Sequence, residues 1–301
     1  IFTNISPDHI GPDEHKDFKE YLMYKSLFFK NCKTTIVNGD DTYSGYILET
    51  STSDEKYTFG ENCDFIPRNI EYISNKDFLG TKFDIKCSTE TAKKYNISPL
   101  ISDIYVGIPG EFNVYNALSA LSGAIVLGVK EETLKTALKD VRVNGRMEVV
   151  YSSHDIKVII DYAHNAVSTE SLINTLRRYE PKRLVVVFGS GGNRSKDRRY
   201  SMGEICGKLA DFSIVTADNS RYEKTEDIIA DIISKLRPTG GDYITIPDRR
   251  EAIYYSIENA KQGDLIAIIG KGHEDYQEIN GVRTHFLDRE VVDECLEKIK
   301  R

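Results

Sequence analysis

Four apolar runs in the second half of the chain, at 158–160, 184–188, 213–217 and 265–269, each give way to a short polar loop. The loops read Asp161-Tyr162-Ala163-His164-Asn165, Gly189-Ser190-Gly191-Gly192-Asn193-Arg194, Asp218-Asn219-Ser220-Arg221 and Gly270-Lys271-Gly272-His273-Glu274. Between them apolar positions recur at helical spacing. Leu172, Ile173 and Leu176 mark a helix within 167–179, and Ile228, Ile229, Ile232, Ile233 and Leu236 mark another, with Thr225 placed to cap it. Asp248 is placed to cap a further helix that Gly263 would end before the last strand. Such alternation predicts a doubly wound, mostly parallel sheet, which binds ligands beyond the carboxyl ends of its strands. The four polar loops are therefore expected to share one rim.

The first half is less regular. Phe18, Leu22, Leu27 and Phe28 give 15–30 helical spacing, 34–37 reads as a strand entering the turn Asn38-Gly39-Asp40-Asp41, and a strand-rich stretch is expected from about Tyr46 to Tyr105. Two helices follow, 113–127 closed by Gly128 and then 131–139. Ile1-Phe2-Thr3-Asn4 reads as the end of a strand, so the chain is expected to begin inside a domain. Two domains are expected, 1–145 and 146–301, divided at Asn144-Gly145-Arg146.

Composition narrows the function classes. The 301 residues are 40% hydrophobic and 29% charged with a formal charge of -7, as in a soluble globular protein, and this disfavours nucleic acid or an anionic membrane as partner. No apolar stretch is long enough to span a bilayer and no leader is apparent, so a cytoplasmic location is expected. Five cysteines without a C-x-x-C pair are expected to be reduced thiols, mostly buried.

The polar positions offer candidate chemistry, each with a plainer alternative. Asp161 and His164 can together face a ribose, phosphate or magnesium-bound water; an Asp N-cap beside a surface His has the same spacing. The glycine loop 189–194, followed by Lys196, Arg198 and Arg199, suits an anion, or is a turn with a solvated basic face. Arg221, after Asp218 and Asn219, can hold a carboxylate bidentately, and Glu274 beyond Gly270 can take an ammonium; both also read as surface charges. His9 beside Asp8 is a candidate metal ligand or a structural His. Lys25, with Tyr21, Tyr24 and Phe28 at helical spacing, is ordinarily a snorkelling stem. Asn113 and Asn116 share a helix face that can read a purine edge, or simply cap the helix.

Taken in order, these motifs resemble the Mur ligases, ATP-dependent amide-forming enzymes of peptidoglycan precursor synthesis. The resemblance covers essentially the whole chain and lies nearest the branch that adds meso-diaminopimelate to UDP-N-acetylmuramoyl-L-alanyl-D-glutamate. It implies a partial central ATPase-type α/β domain followed by a Rossmann-like carboxyl-terminal domain, acting as a monomer on these small-molecule substrates. It further implies ATP and Mg2+ as cofactors, with His9 and a carbamylated Lys25 as metal ligands and the latter also catalytic. Asn113, Asn116, Arg146 and Asp161 would contact the nucleotide, with His164 catalytic beside it. Arg194, Asp218, Asn219, Arg221, Gly270 and Glu274 would hold the incoming amino acid, activated acyl transfer proceeding through an acyl phosphate. Glu111 stands where the family carries a basic residue, and Ser220 where it carries Pro. The family's phosphate loop and UDP-binding domain are expected before Ile1, because no G-K-[ST] occurs here, and the chain alone is expected to be inactive. A lysine-adding Mur ligase, a folylpolyglutamate synthase-like ligase and a non-catalytic amino-acid-binding fragment are the alternatives.

Overall fold

The computed structural model describes residues 1–7, 10, 11 and 14–299. Contacts divide the chain into two compact units, one of residues 1–71, 81–107 and 111–141, the other of residues 72–80, 108–110 and 142–301. The main break therefore falls at 141/142 rather than 145/146, and two short segments of the first half belong with the second unit. The reason is aromatic packing: Tyr72 meets the Tyr179 ring edge-on at 5.4 Å, and the Gly110 amide donates to the Tyr179 hydroxyl at 2.9 Å.

In chain order the first unit carries α1 (Phe18–Leu27), β1 (Thr34–Asn38), α2 (Ser44–Thr50), β2 (Glu55–Phe59), β3 (Phe65–Ser74), β4 (Leu79–Cys87), α3 (Thr89–Tyr95), β5 (Leu100–Val106), α4 (Glu111–Val126) and α5 (Glu131–Ala137). Its sheet runs β1-β2-β3-β4-β5, with β1 and β2 parallel and β4 and β5 antiparallel. Phe2 extends the edge as a bridge beside Val37, in keeping with a strand end at the start of the chain. The stretch 46–105 is not all strand, because α2 and α3 interrupt it. Nor do Leu27 and Phe28 face inward, since both are exposed and Tyr21, Leu22 and the following Phe29 are buried instead. In α4, Val114, Leu118, Leu121 and Ile125 form the buried stripe expected of an amphipathic helix.

The second unit adds β6 (Glu148–Ser152), β7 (Ile156–Asp161), α6 (Ala166–Arg177), β8 (Arg183–Phe188), α7 (Lys196–Leu209), β9 (Phe212–Val215), α8 (Thr225–Leu236), β10 (Tyr243–Thr245), α9 (Arg249–Glu258), β11 (Asp264–Ile269), the hairpin β12 (Tyr276–Ile279) and β13 (Val282–His285), and α10 (Asp288–Ile299). The main sheet runs β10-β9-β8-β11-β7-β6; all neighbours are parallel except β6, which is antiparallel to β7. Alternation along each strand feeds two cores. Ile159, Leu184, Val186, Phe188, Leu265 and Ile269 pack with α6, α7 and α8, while Val158, Ile160, Val185, Val187, Ile266 and Ile268 pack with α9 and α10. Each such side chain contributes about 1.5–3 kcal/mol on burial, so the register of these strands is fixed from both sides.

This winding positions the site. From β8 the chain moves outward through β9 and β10, then returns to place β11 between β8 and β7. The exits from β8 and β11 lead to helices on opposite faces, which opens a crevice at their carboxyl ends. Two expected caps differ: α8 starts after Lys224, with Thr225 as its first residue, and α9 ends at Glu258 with Asn259 as its C-cap, leaving Gly263 (φ 91°) in the turn before β11. Among the described residues no helix is long and apolar enough to cross a membrane, and all five cysteines are free thiols, three of them buried.

Candidate functional site

The carboxyl ends of β7, β8, β9 and β11 enclose a cavity of about 110 Å³. Its wall includes His164, Arg194, Asp218, Asn219, Arg221, Gly270 and Glu274, all expected from the sequence, together with Tyr162, Ser190 and Arg198. Glycines allow the loops to approach so closely. A Cβ on Gly192 would sit 1.9 Å from the Ser220 carbonyl oxygen, and one on Gly189 would sit 2.4 Å from that of Thr216.

Arg221 takes a left-handed backbone (φ 52°) and donates from Nη1 to the Gly192 carbonyl at 2.7 Å. The β12 strand fixes that conformation, since the Arg221 amide donates to the Glu278 carbonyl at 2.9 Å and the Asn280 amide donates back to Arg221. Ser220 is fully buried and its hydroxyl pairs with that of Thr225 at 2.6 Å. This bond restrains the loop between β9 and α8.

Glu274 is held from several sides. Asn219 Nδ2 donates to it at 2.9 Å, the Tyr162 hydroxyl at 3.2 Å, and the fully buried Lys271 ammonium lies 3.4 Å away. Lys271 also donates to the Tyr276 carbonyl. Burial, reinforced by the nearby Glu274 charge, raises the Tyr162 phenol above its ordinary value. His164 shares a 2.8 Å hydrogen bond between Nδ1 and the Tyr162 carbonyl; with Nδ1–H donating, Nε2 is left as the ring's other polar atom.

Asp161 and Arg146 do not line this cavity. Asp161 accepts from the Met147 amide at 2.7 Å and the Ala163 amide at 2.8 Å, while burial pushes its carboxyl up. It is no N-cap either, for Asn165 caps α6 with Ser168 completing a capping box. Arg146 lies over the Tyr162 ring at 4.7 Å. The basic run after the glycine loop divides: Arg194 and Arg198 reach the cavity, whereas Lys196 and the buried Arg199 turn to Asp231, and Arg199 also binds Glu223.

In the first unit, Asn116 lines a cavity of about 370 Å³ with Asn38, Phe112 and Tyr115. Asn113 lies buried one turn earlier on α4 and accepts from Asn116 Nδ2 at 3.1 Å. Lys25 borders a separate cavity of about 380 Å³ with Thr3, Asn4 and Ser6, its ammonium 5.3 Å from the Tyr21 ring centre. His9 lies outside the described residues. Among those described, no three His, Cys, Asp or Glu side chains converge on one metal position.

Residues 1–124 match the Mur ligase middle domain and residues 145–272 the Mur ligase glutamate ligase domain. The chain belongs to the Mur ligase family. It is 39% identical over 297 residues to a UDP-N-acetylmuramoyl-L-alanyl-D-glutamate--2,6-diaminopimelate ligase of Caldanaerobacter subterraneus subsp. tengcongensis, covering 98% of this chain and 58% of that protein. It is 39% identical over 299 residues to the ligase of the same name from Aquifex aeolicus, again covering 98% and 58%. A solved structure of an enzyme of that name superposes with a TM-score of 0.75 at 28% identity, covering 99% of this chain and 60% of the other. The chain thus spans somewhat over half the length of the relatives it matches.

Behind the cavity of this Mur ligase, Arg199 supports the Arg221 loop through Glu223. Arg199 is 1% exposed, binds Glu223 at 2.6 and 2.8 Å, and holds that carboxyl down at about 2. A depressed carboxyl stabilises the fold above its ordinary value of 4.5, and that contribution is lost as pH falls towards 2. Glu223→Gln is therefore expected to lower stability by about 1 kcal/mol at pH 7, after allowance for solvent screening, and by nearly nothing at pH 2. Urea unfolding of both proteins at the two pH values measures this; an equal deficit at both would exclude the ion pair as its source.

Proposed function

We propose that this chain belongs to a ligase that joins meso-diaminopimelate to the D-glutamate of UDP-N-acetylmuramoyl-L-alanyl-D-glutamate with ATP and Mg2+. The observation that carries the reading is the sign pattern of the second unit's cavity: guanidinium groups from Arg194, Arg198 and Arg221 beside the carboxylates of Asp218 and Glu274. An amino-acid end bears one carboxylate and one ammonium, and this wall offers a partner for each. Lysine lacks the second carboxylate, so it would leave a guanidinium facing the ligand without its counter-charge. The names of the relatives point the same way.

In this reading Arg221, Arg194, Asp218, Asn219, Gly270 and Glu274 bind and orient the incoming amino acid. His164 Nε2, when protonated, donates to an anionic oxygen. The amide and aromatic lining around Asn116 suits a planar base, with Asn113 ordering Asn116, and Asp161 orders the loop beneath Arg146 and Tyr162 on the nucleotide side. Carbamylation of Lys25 would add a carboxylate among the Thr3, Asn4 and Ser6 oxygens, a donor set that fits Mg2+ retaining several waters. When bound, ATP supplies the phosphoryl group that activates the substrate carboxylate, and Mg2+ offsets its charge. The reading also makes the protein a cytoplasmic monomer.

The test supplies the intact protein with the UDP-linked dipeptide, ATP and Mg2+, and either meso-diaminopimelate or lysine, then weighs the product by mass spectrometry. A tripeptide product with diaminopimelate, formed at least about a hundredfold faster than with lysine, is expected. Equal rates, or a product with lysine only, would overturn the assignment.

A further inference from the structure

Ser190 carries a hydroxyl that none of the described residues pairs with. The residue is 4% exposed, its Oγ is buried and makes no hydrogen bond among the described residues, and it lies on the wall of the strand-end cavity. Native proteins pair most buried polar atoms, so an orphan on the wall of this cavity marks where a ligand atom belongs. The other orphaned atoms, on Thr169, Arg199 and Ser213, are not on that wall.

The loop has little freedom to satisfy the hydroxyl internally. Gly189 packs against the Thr216 carbonyl and Gly192 against that of Ser220, while the Gly192 amide donates to the Asn219 carbonyl at 2.8 Å. At Gly191, the next residue, an added Cβ would lie 3.8 Å from both Arg221 Nη1 and Arg194 Cγ, so the arginine side chains pass close to this loop. A ligand atom reaching this corner meets Arg194, Arg198 and Arg221 together. It is therefore an anionic oxygen, and the hydroxyl's part is to donate.

We propose that Ser190 Oγ donates to the second carboxylate of meso-diaminopimelate, the one lysine lacks, and completes the seat formed by Arg194, Arg198 and Arg221. The inference rests on the diaminopimelate reading and adds a specificity residue to it. A structural serine and a ligand-binding serine differ in sign: removing an unpaired buried hydroxyl does not weaken the empty protein, whereas removing a ligand donor weakens the complex.

Calorimetric titration of this chain and its Ser190→Ala variant with meso-diaminopimelate, lysine and inorganic phosphate separates the possibilities, with melting temperatures recorded without ligand. The variant is expected to bind diaminopimelate about tenfold or more weaker, to bind lysine and phosphate as before, and to melt no lower than the parent. Ser190→Cys, of similar size, is expected to recover part of the affinity. Unchanged diaminopimelate affinity would overturn the inference, as would a loss confined to phosphate, which would make the partner a phosphoryl oxygen. A lowered melting temperature with equal losses for all ligands would make Ser190 structural. If the parent chain binds lysine or phosphate but not diaminopimelate, the functional reading itself fails and the inference with it; binding by the parent with no effect of Ser190→Ala fails the inference alone.

Discussion

Arg221→Asn in the intact ligase is expected to lower kcat/KM for meso-diaminopimelate by about a hundredfold or more while leaving the low rate with lysine within about threefold. The asymmetry follows from the charge. Only diaminopimelate brings a second carboxylate, and a charge-assisted pair in a partly closed cavity is worth about 1.5–3 kcal/mol, more when bidentate. Asn is the informative replacement because Arg221 sits at φ 52°, a backbone region Asn enters more readily than other residues with a side chain. Its amide bond to Glu278 and its carbonyl bond from Asn280 can then persist, so the side chain is tested alone. Loss of the Nη1 bond to the Gly192 carbonyl affects both substrates equally and cancels in the ratio. Rates with each amino acid at fixed nucleotide measure the effect, and equal loss with both would show that Arg221 holds the loop and does not read the substrate.

The cavity was legible because its residues follow strands whose signal is strong. Val185 and Val187 face one core while Leu184, Val186 and Phe188 face the other, so β8 reads as an unbroken apolar run and its end is plain. The loops after β7, β9 and β11 follow by the same logic. What the sequence left hidden depends on packing between distant segments. Lys271 stands among glycines like any loop lysine, yet its ammonium is enclosed by Asn219, Glu274 and the Tyr276 carbonyl. Asp161 has ligand-like spacing from His164, but the Met147 amide, distant in sequence, occupies its carboxylate. Helices α2 and α3, of seven residues each, fall inside a stretch whose residues read as strand and turn, so their short apolar pattern does not stand out from it. For α3 the signals were present as caps, with Ser88 accepting from the Thr91 amide at one end and Asn96 at φ 50° at the other.

Breaking one buried ion pair is expected to unfold more of the site than any change in its wall. Arg249 and Asp288 are both fully enclosed, with Nε donating to Oδ1 at 2.8 Å and Nη2 to Oδ2 at 2.7 Å. The same guanidinium donates to the Ala217 carbonyl at 3.2 Å and the Ile269 carbonyl at 3.1 Å. Those carbonyls immediately precede Asp218 and Gly270, so one side chain joins the two strand ends from which two of the cavity's loops depart. Arg249→Met keeps the stem and removes every donor, leaving a buried carboxylate and two strand-end carbonyls without partners. A cost of about 3–5 kcal/mol follows for the orphaned charge alone, equivalent to a fall in melting temperature of about 10 °C. Adding Asp288→Leu removes that charge, and the double variant is expected to recover most of the loss, since an apolar pair can replace a buried ion pair at little net cost. The two carbonyls stay unpaired in both variants. Stability should therefore return while diaminopimelate affinity stays reduced, because the ends of β9 and β11 are no longer joined. Thermal melts and titrations on the parent, single and double variants measure the two effects separately; a double variant as unstable as Arg249→Met would show that the strand-end bonds, and not the buried charge, dominate the loss.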